Sequence, residues 1–324
     1  YLSLAPFLSG NPMTHLSLAI KQSCDHVCDR RPTQSKPTRV VPRYIRLFGL
    51  GINLVSLFNP DWAAKKLSNL WFTVFKPRPR EWVHSFWNRA DRRVELHLSD
   101  KTIDVHLWGR GPLIVCMHGW SGSGTQFRHL IPSLVEAGYQ VAVFDAPAHG
   151  FNPEHTTHVY EFAQSLIAIQ QQIAGIHTVI AHSFGAMATL VASDNGLECE
   201  NMVFIAPGLD VEEIFDSYSN SLNLSHKLSQ GFHQKVGDKM TEIAGIDDVW
   251  RYFQPSQLLE HASDKGLLVF DHEDEEISLR QFESIASKWQ QSEVYETQGL
   301  GHFRILKDST VINEITRYVK QAPK

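Results

Sequence analysis

The tightest constraint on how this chain can fold lies in one short stretch, Val179-Ile180-Ala181-His182-Ser183-Phe184-Gly185-Ala186. The apolar residues leading to Ala181 read as a strand buried on both faces, and 186–193 read as a helix. Only a sharp turn fits between them, with Ser183 at its apex. A residue at such an apex has a strained backbone, and its neighbours two places to either side come so close that they must be small. Ala181 and Gly185 meet that demand. The helix presents free N–H groups and its positive dipole end to the serine, which favours negative charge developing there. Together these features make a seat for a nucleophile.

Buried strands alternate with amphipathic helices on both sides of this element. Val94, Leu96 and Leu98, then Ile103, Val105 and Leu107, alternate with polar residues around Ser99-Asp100-Lys101 and predict a hairpin. Apolar runs at 112–117, 141–144, 202–205 and 266–270, with a short one at 294–296, predict further strands. Apolar stripes at 127–135, 159–173, 282–289 and 311–318 predict the covering helices. The pattern is that of the α/β class: a mostly parallel central sheet with helices on both faces. Residues 207–264 interrupt it, and Leu228, Phe232, Val236, Met240 and Ile243 there recur at helical spacing. We therefore expect a core at 93–206 and 265–324, a helical lid at 207–264, an N-terminal helical extension at 44–92 and a flexible basic arm at 1–43. In the extension, apolar helices are expected at 44–57 and 61–75, parted by Asn59-Pro60, with Asn59 or Asp61 as a cap. A basic arm before apolar helices is also a pattern of membrane-surface segments, here 44–75. The expectation is that these helices pack on the catalytic domain or line its pocket.

The strand, serine and helix resemble the nucleophile elbow of the α/β-hydrolase superfamily, G-x-S-x-G, with Ala181 in place of the first glycine. The likeness extends over residues 94–320. It implies an acid and then a histidine later in the chain. His302, in Gly299-Leu300-Gly301-His302-Phe303 after the last predicted strand, holds the histidine's place. The acid lies in Asp271-His272-Glu273-Asp274-Glu275-Glu276. Matching this loop to the family, where an aspartate stands four residues before a proline, puts Asp274 in register, with Ser278 in the proline's position. The resemblance nominates the backbone N–H groups of Trp120 and Phe184 as the oxyanion hole. It makes His118 a buttress of its loop, and Asp145 and His149 turn and packing residues. In the family an insertion at 207–264 covers the pocket; its aromatic residues Tyr218, Trp250, Tyr252 and Phe253 are expected mostly to form lid core.

The implied activity is serine hydrolysis of carboxylic esters with small to medium acyl chains, through an acyl-enzyme on Ser183. Relatives that dehalogenate haloalkanes or open epoxides use an aspartate nucleophile, so Ser183 argues against both. Thioesterases, acyltransferases, membrane-associated lipases and low-turnover binding or sensor proteins share the same triad, and the fold does not choose among them. No metal or organic cofactor is expected. The formal net charge of −5 over 324 residues argues against nucleic acid as a partner. Gly122-Ser123-Gly124 lacks the Gly-Lys that would follow in a phosphate-binding loop. The four cysteines, Cys24, Cys28, Cys116 and Cys199, are too scattered to staple a chain of this size, and Cys24, His26 and Cys28 have no second ligand pair at zinc-site spacing. No run is long and apolar enough to span a bilayer, and an intracellular enzyme is expected, with Met13 a candidate natural start.

Overall fold

The computed structural model describes residues 41–76, 80–263 and 265–321. All but the last three residues of the basic arm, with Met13, Cys24 and Cys28, lie outside the described residues.

Eight strands form one sheet: β1 (Arg92–His97), β2 (Thr102–Trp108), β3 (Leu113–Met117), β4 (Gln140–Phe144), β5 (Ile176–His182), β6 (Cys199–Ile205), β7 (Gly266–Asp271) and β8 (Ser292–Thr297). Their spatial order is β1-β2-β4-β3-β5-β6-β7-β8. The hairpin strands pair antiparallel, with Val94 opposite Val105 and Leu96 opposite Ile103, and β2 pairs antiparallel to β4. Every later pairing is parallel. The continuous apolar runs have a simple cause. In β3, Leu113, Val115 and Met117 enter the core on one face of the sheet, whereas Ile114 and Cys116 enter the core on the other. In β5, Val179 and Ala181 are parted from Ile180 in the same way. Side chains alternate at period two, so a strand covered on both faces needs apolar residues at every position.

Helices α1 (Arg43–Ser56), α2 (Pro60–Trp71) and α3 (Glu81–Trp87) precede the sheet. Helix α4 (Ile131–Glu136) covers one face with the C-terminal helix, which brings Ile312, Ile315 and Val319 to that core. Helices α5 (Val159–Gln172) and α6 (Phe184–Asp194) cover the opposite face through Phe162, Leu166, Met187 and Leu190. Burying such a side chain is worth about 1.5–3 kcal/mol. The single helix expected over 127–135 is instead a 3-10 turn, Gly124–His129, followed by α4. Pro132 explains the break: lacking an N–H, it is tolerated only in the first turn of a helix, so α4 has to begin beside it.

The insertion between β6 and β7 holds α7 (Val211–Ser221), α8 (His226–Ala244), α9 (Val249–Tyr252) and α10 (Pro255–Leu258). The stripe Leu228, Phe232, Val236 and Met240 is the buried face of α8. This insertion and the N-terminal helices pack together. Trp71 meets the rings of Phe215, Tyr218 and Phe232 at centroid distances of 5.6, 5.5 and 6.0 Å. Helix α2 ends at Trp71, short of the expected residue 75, because the chain turns there and Thr73 forms a bridge with Thr156. Asn59 caps α2 by accepting from the Trp62 N–H at 3.1 Å. Helix α1 touches the α7–α8 turn closely: a Cβ at Gly49 would lie 1.9 Å from the Leu222 carbonyl oxygen. One turn on, the Asn53 amide donates to the Asn223 carbonyl at 3.0 Å and accepts from the Ser225 N–H at 2.8 Å. Helices α11 (Leu279–Lys288), α12 (Gly301–Arg304) and α13 (Ser309–Gln321) complete the fold. No helix among the described residues is long and apolar enough to cross a membrane.

Candidate active site

Ser183 stands between β5 and α6 with φ 55° and ψ −124°, a backbone conformation that L-residues rarely adopt. Its N–H is held by the Ile205 carbonyl at 3.0 Å, and its carbonyl accepts from Gly208 at 3.2 Å and Ala186 at 3.0 Å. Five non-glycine residues among those described have positive φ, and four of them, Ser121, Ala148, Ser183 and Ala206, lie just beyond the C-terminal ends of β3, β4, β5 and β6. Strain is therefore gathered at one edge of the sheet, where a parallel α/β sheet places its ligands. The small residues around Ser183 have a steric reason. A Cβ at Gly185 would come within 2.6 Å of the Met117 carbonyl oxygen and 2.8 Å of that of His118, and a Cβ at Gly119 within 2.9 Å of the Ser183 Cβ.

Three residues far apart in the sequence meet at this edge. Nε2 of His302 lies 3.0 Å from the Ser183 Oγ, and its Nδ1 lies 2.8 Å from Asp274 Oδ2. A carboxylate only accepts, so Nδ1 carries the ring proton and Nε2 is free to accept from the serine hydroxyl. The other oxygen of Asp274 accepts from the N–H groups of Glu276 and Ile277 at 2.8 and 2.9 Å, which fixes the carboxylate's orientation. Asp274 is 1% exposed and His302 8%, so their interaction is sheltered from water.

Two residues not singled out from the sequence hold His302 in place. Asp271, fully buried at the end of β7, accepts from the N–H groups of Gly301 and Glu273 through one oxygen at 2.8 and 2.9 Å. Its other oxygen accepts from the Thr297 hydroxyl at 2.7 Å and the Leu300 N–H at 3.0 Å. Burial works to raise its pKa, but these donors outweigh it, and the carboxyl is held below the usual aspartate value. His182, immediately before Ser183, lies 2.9 Å through Nε2 from the His302 carbonyl oxygen, to which it donates. The local signal for Asp271 was its place at a strand end inside an acidic run; nothing local marks His182 among 17 histidines.

The loop after β3 is braced by two more buried histidines. Nδ1 of His118 donates to the Gly119 carbonyl at 2.8 Å while Nε2 accepts from the Ala146 N–H at 2.9 Å. Nδ1 of His149 donates to the Pro147 carbonyl at 3.0 Å and Nε2 accepts from the Ser121 N–H at 2.9 Å. Both rings use one nitrogen as donor and the other as acceptor, an arrangement available only to neutral imidazole. Burial pushes His118 down to about 4 and, with His118 nearby, His149 down to about 3. His182 is likewise lowered to about 3 by burial and by neighbouring His302. Asp145 accepts from the Gly124 N–H at 2.8 Å and thus ties two loops together.

Trp120 directly follows Gly119, where a Cβ would lie 2.9 Å from the Ser183 Cβ, and Phe184 stands in the first turn of α6, whose N–H donors lack helical partners. Neither bonds a main-chain carbonyl among the described residues. Their rings meet edge to face at 5.2 Å, and Trp120 stacks on Phe162 at 6.3 Å. Of the expected lid aromatics, Trp250 stacks on His233 within the insertion at 3.8 Å, whereas the buried Phe253 meets Tyr160 of α5 edge to face at 6.4 Å. No group of three or more metal-ligating side chains occurs among the described residues.

A family model described as alpha/beta hydrolase fold matches residues 112–240. The chain is 31% identical over 92 residues to a human serine hydrolase-like protein, covering 26% of this chain and 45% of that protein. It is 35% identical over 68 residues to the pimeloyl-[acyl-carrier protein] methyl ester esterase of Vibrio atlanticus, covering 21% and 26%. The chain thus spans less than half the length of these relatives. Among solved structures, a Pyrococcus furiosus esterase superposes with a TM-score of 0.57 at 14% identity, over 78% of this chain and 97% of that one. An esterase from Exiguobacterium antarcticum gives 0.52 at 17%, over 71% and 100%. At such identities the likeness speaks for the fold.

Proposed function

We propose that this chain, whose residues 112–240 match the α/β-hydrolase fold, is a serine hydrolase of that superfamily and cleaves carboxylic esters of small to medium acyl length through an acyl-enzyme on Ser183. The observation that carries the proposal is the unbroken hydrogen-bond relay from Ser183 Oγ through His302 to Asp274. As Oγ attacks the ester carbonyl, Nε2 of His302 takes its proton, and the buried Asp274 carboxylate stabilises the imidazolium that forms. The carbonyl oxygen becomes an oxyanion facing the N–H groups of Trp120 and Phe184; each such donor is worth about 3–4 kcal/mol in the transition state. The tetrahedral species collapses, the C–O bond to the alcohol breaks, and His302 returns its proton to the departing alkoxide. Water then repeats the sequence, releasing the acid and restoring Ser183.

The packing around the elbow supports an acyl group of limited size. Trp120, Phe184 and Phe162 crowd one another at ring distances of 5.2 to 6.3 Å, and Gly208 beside the elbow lies against Ile214 and Ile277. Such a lining suits an apolar chain of limited length. The name of the Vibrio relative, a methyl ester esterase, supports an ester as the scissile group. The test is steady-state hydrolysis of p-nitrophenyl esters of increasing acyl length by the parent and by Ser183→Ala. The expected result is turnover that declines at long chains and falls at least about 10⁴-fold in the variant. Equal turnover by the variant would refute the nucleophile.

A further inference from the structure

Helix α1 is amphipathic in the reverse of the usual sense. Its inner face, against the α7–α8 turn, is small or polar at Gly49, Asn53 and Ser56, with Ile45 and Ile52 as its apolar residues. Its outer face carries Tyr44, Leu47, Leu50 and Leu54, continued past the helix end by Leu57 and Phe58, at steps of three and four residues. These side chains are 53–90% exposed. Scattered exposed leucines need no explanation, but a contiguous stripe of this size marks a surface that something else covers.

The charge of this stretch of the sequence points to the cover. Residues 30–60 contain six basic residues, Arg30, Arg31, Lys36, Arg39, Arg43 and Arg46, and neither Asp nor Glu, in a chain of net charge −5. The first carboxylate after them, Asp61, is paired with Lys235 at 2.8 Å. In a two-fold contact of α1 with a second copy, Arg43 and Arg46 would face their own counterparts, and residues 30–60 hold no carboxylate to answer them. An anionic lipid surface supplies acyl chains for the stripe and phosphates for the arginines. The 14 residues of α1 rise only about 21 Å, less than the roughly 30 Å of a bilayer core, so the helix suits lying in the interface. Trp62, half-exposed at the start of α2 with the Lys66 ammonium 5.4 Å from its ring, adds an aromatic and a cation of the kind found at headgroup level.

We propose that α1 docks in the plane of an anionic membrane surface, its apolar outer face among the acyl chains and Arg43 and Arg46 on lipid phosphates. The proposal is independent of the ester chemistry. The experiment is flotation of the full chain with vesicles of phosphatidylcholine alone or with added phosphatidylglycerol. Leu47→Glu/Leu54→Glu and Arg43→Glu/Arg46→Glu are run alongside, and turnover of a soluble p-nitrophenyl ester reports that each variant is folded. The parent is expected to float with the anionic vesicles, less with the neutral ones, and less in raised salt. The double leucine variant should partition about 100-fold more weakly, and the double arginine variant should lose the preference for phosphatidylglycerol. The proposal fails if the parent floats with neither vesicle, or if the leucine variant floats as the parent does. It fails equally if the parent forms a dimer, without flotation, that the leucine variant disperses.

Discussion

Replacing Asp271 with Asn tests whether the end of β7 organises the histidine loop. The amide keeps one oxygen. If that oxygen serves Gly301 and Glu273, as the present Oδ1 does, the new NH2 faces the Thr297 hydroxyl and the Leu300 N–H. The hydroxyl can turn and accept, but the Leu300 N–H is left without an acceptor, at a cost of about 1–3 kcal/mol. The three surviving bonds lose their charge assistance, roughly 1 kcal/mol each. Relief of the carboxylate's own burial gives part of this back, leaving a net loss of about 2–4 kcal/mol. That is below the usual 5–15 kcal/mol of a folded domain, so Asp271→Asn should still fold. The loop from Gly299 to His302 then relaxes, and a displacement of about 1 Å at the base costs on the order of 100-fold in rate. Urea unfolding measures the first quantity and ester hydrolysis the second, with kcat falling and KM nearly unchanged. The folded Asp271 titrates below its ordinary value of 3.8, so its stabilisation is complete above that pH and is lost as pH falls through the lower folded value. The gap between parent and variant should therefore close in strong acid. An unchanged unfolding midpoint and full activity in Asp271→Asn would refute the assignment.

Two further predictions follow from the same edge of the sheet. His118, His149 and His182 stay neutral to about pH 4, 3 and 3, whereas the unfolded chain takes up these protons near 6.5. Stability should be full above 6.5 and fall with acidification towards those folded values, by about 1.4 kcal/mol per pH unit for each histidine; equal urea midpoints at pH 7 and pH 5 would contradict the neutral bracing. Gly185→Ala places a Cβ 2.6 Å from the Met117 carbonyl oxygen, which should cost about 1–3 kcal/mol and shift the loop after β3; parent-like turnover and melting would count against that contact.

The elbow was legible because its demands are local: an apolar strand, a serine and two small neighbours lie within eight residues. The alternation of strands and helices was legible for the same reason, period two on the strands and 3.6 on the helices. The acid was not. Asp271 through Glu276 offers five carboxylates of nearly the same chemistry, and only the family register favoured Asp274. The structure sorts them by burial, with Asp271 and Asp274 enclosed and the three glutamates exposed. Asp271 escaped notice because two of its partners are main-chain N–H groups 29 and 30 residues further on. The outward apolar face of α1 was hidden for a related reason. Its more apolar face is the one turned outward, against the usual rule, and the close approach at Gly49 with the Asn53 bonds tells which side faces inward.

The two bonds from Asn53 to the α7–α8 turn tie residues about 170 positions apart. With Trp71 wedged among Phe215, Tyr218 and Phe232, they tie the N-terminal helices to the insertion, and elements so joined are expected to open together. Hydrogen exchange should therefore release the amides of α1, α2 and α8 together rather than in sequence order. A truncation that begins at the sheet would not yield a smaller fold with its insertion intact. It would strip the insertion of the surface it folds against.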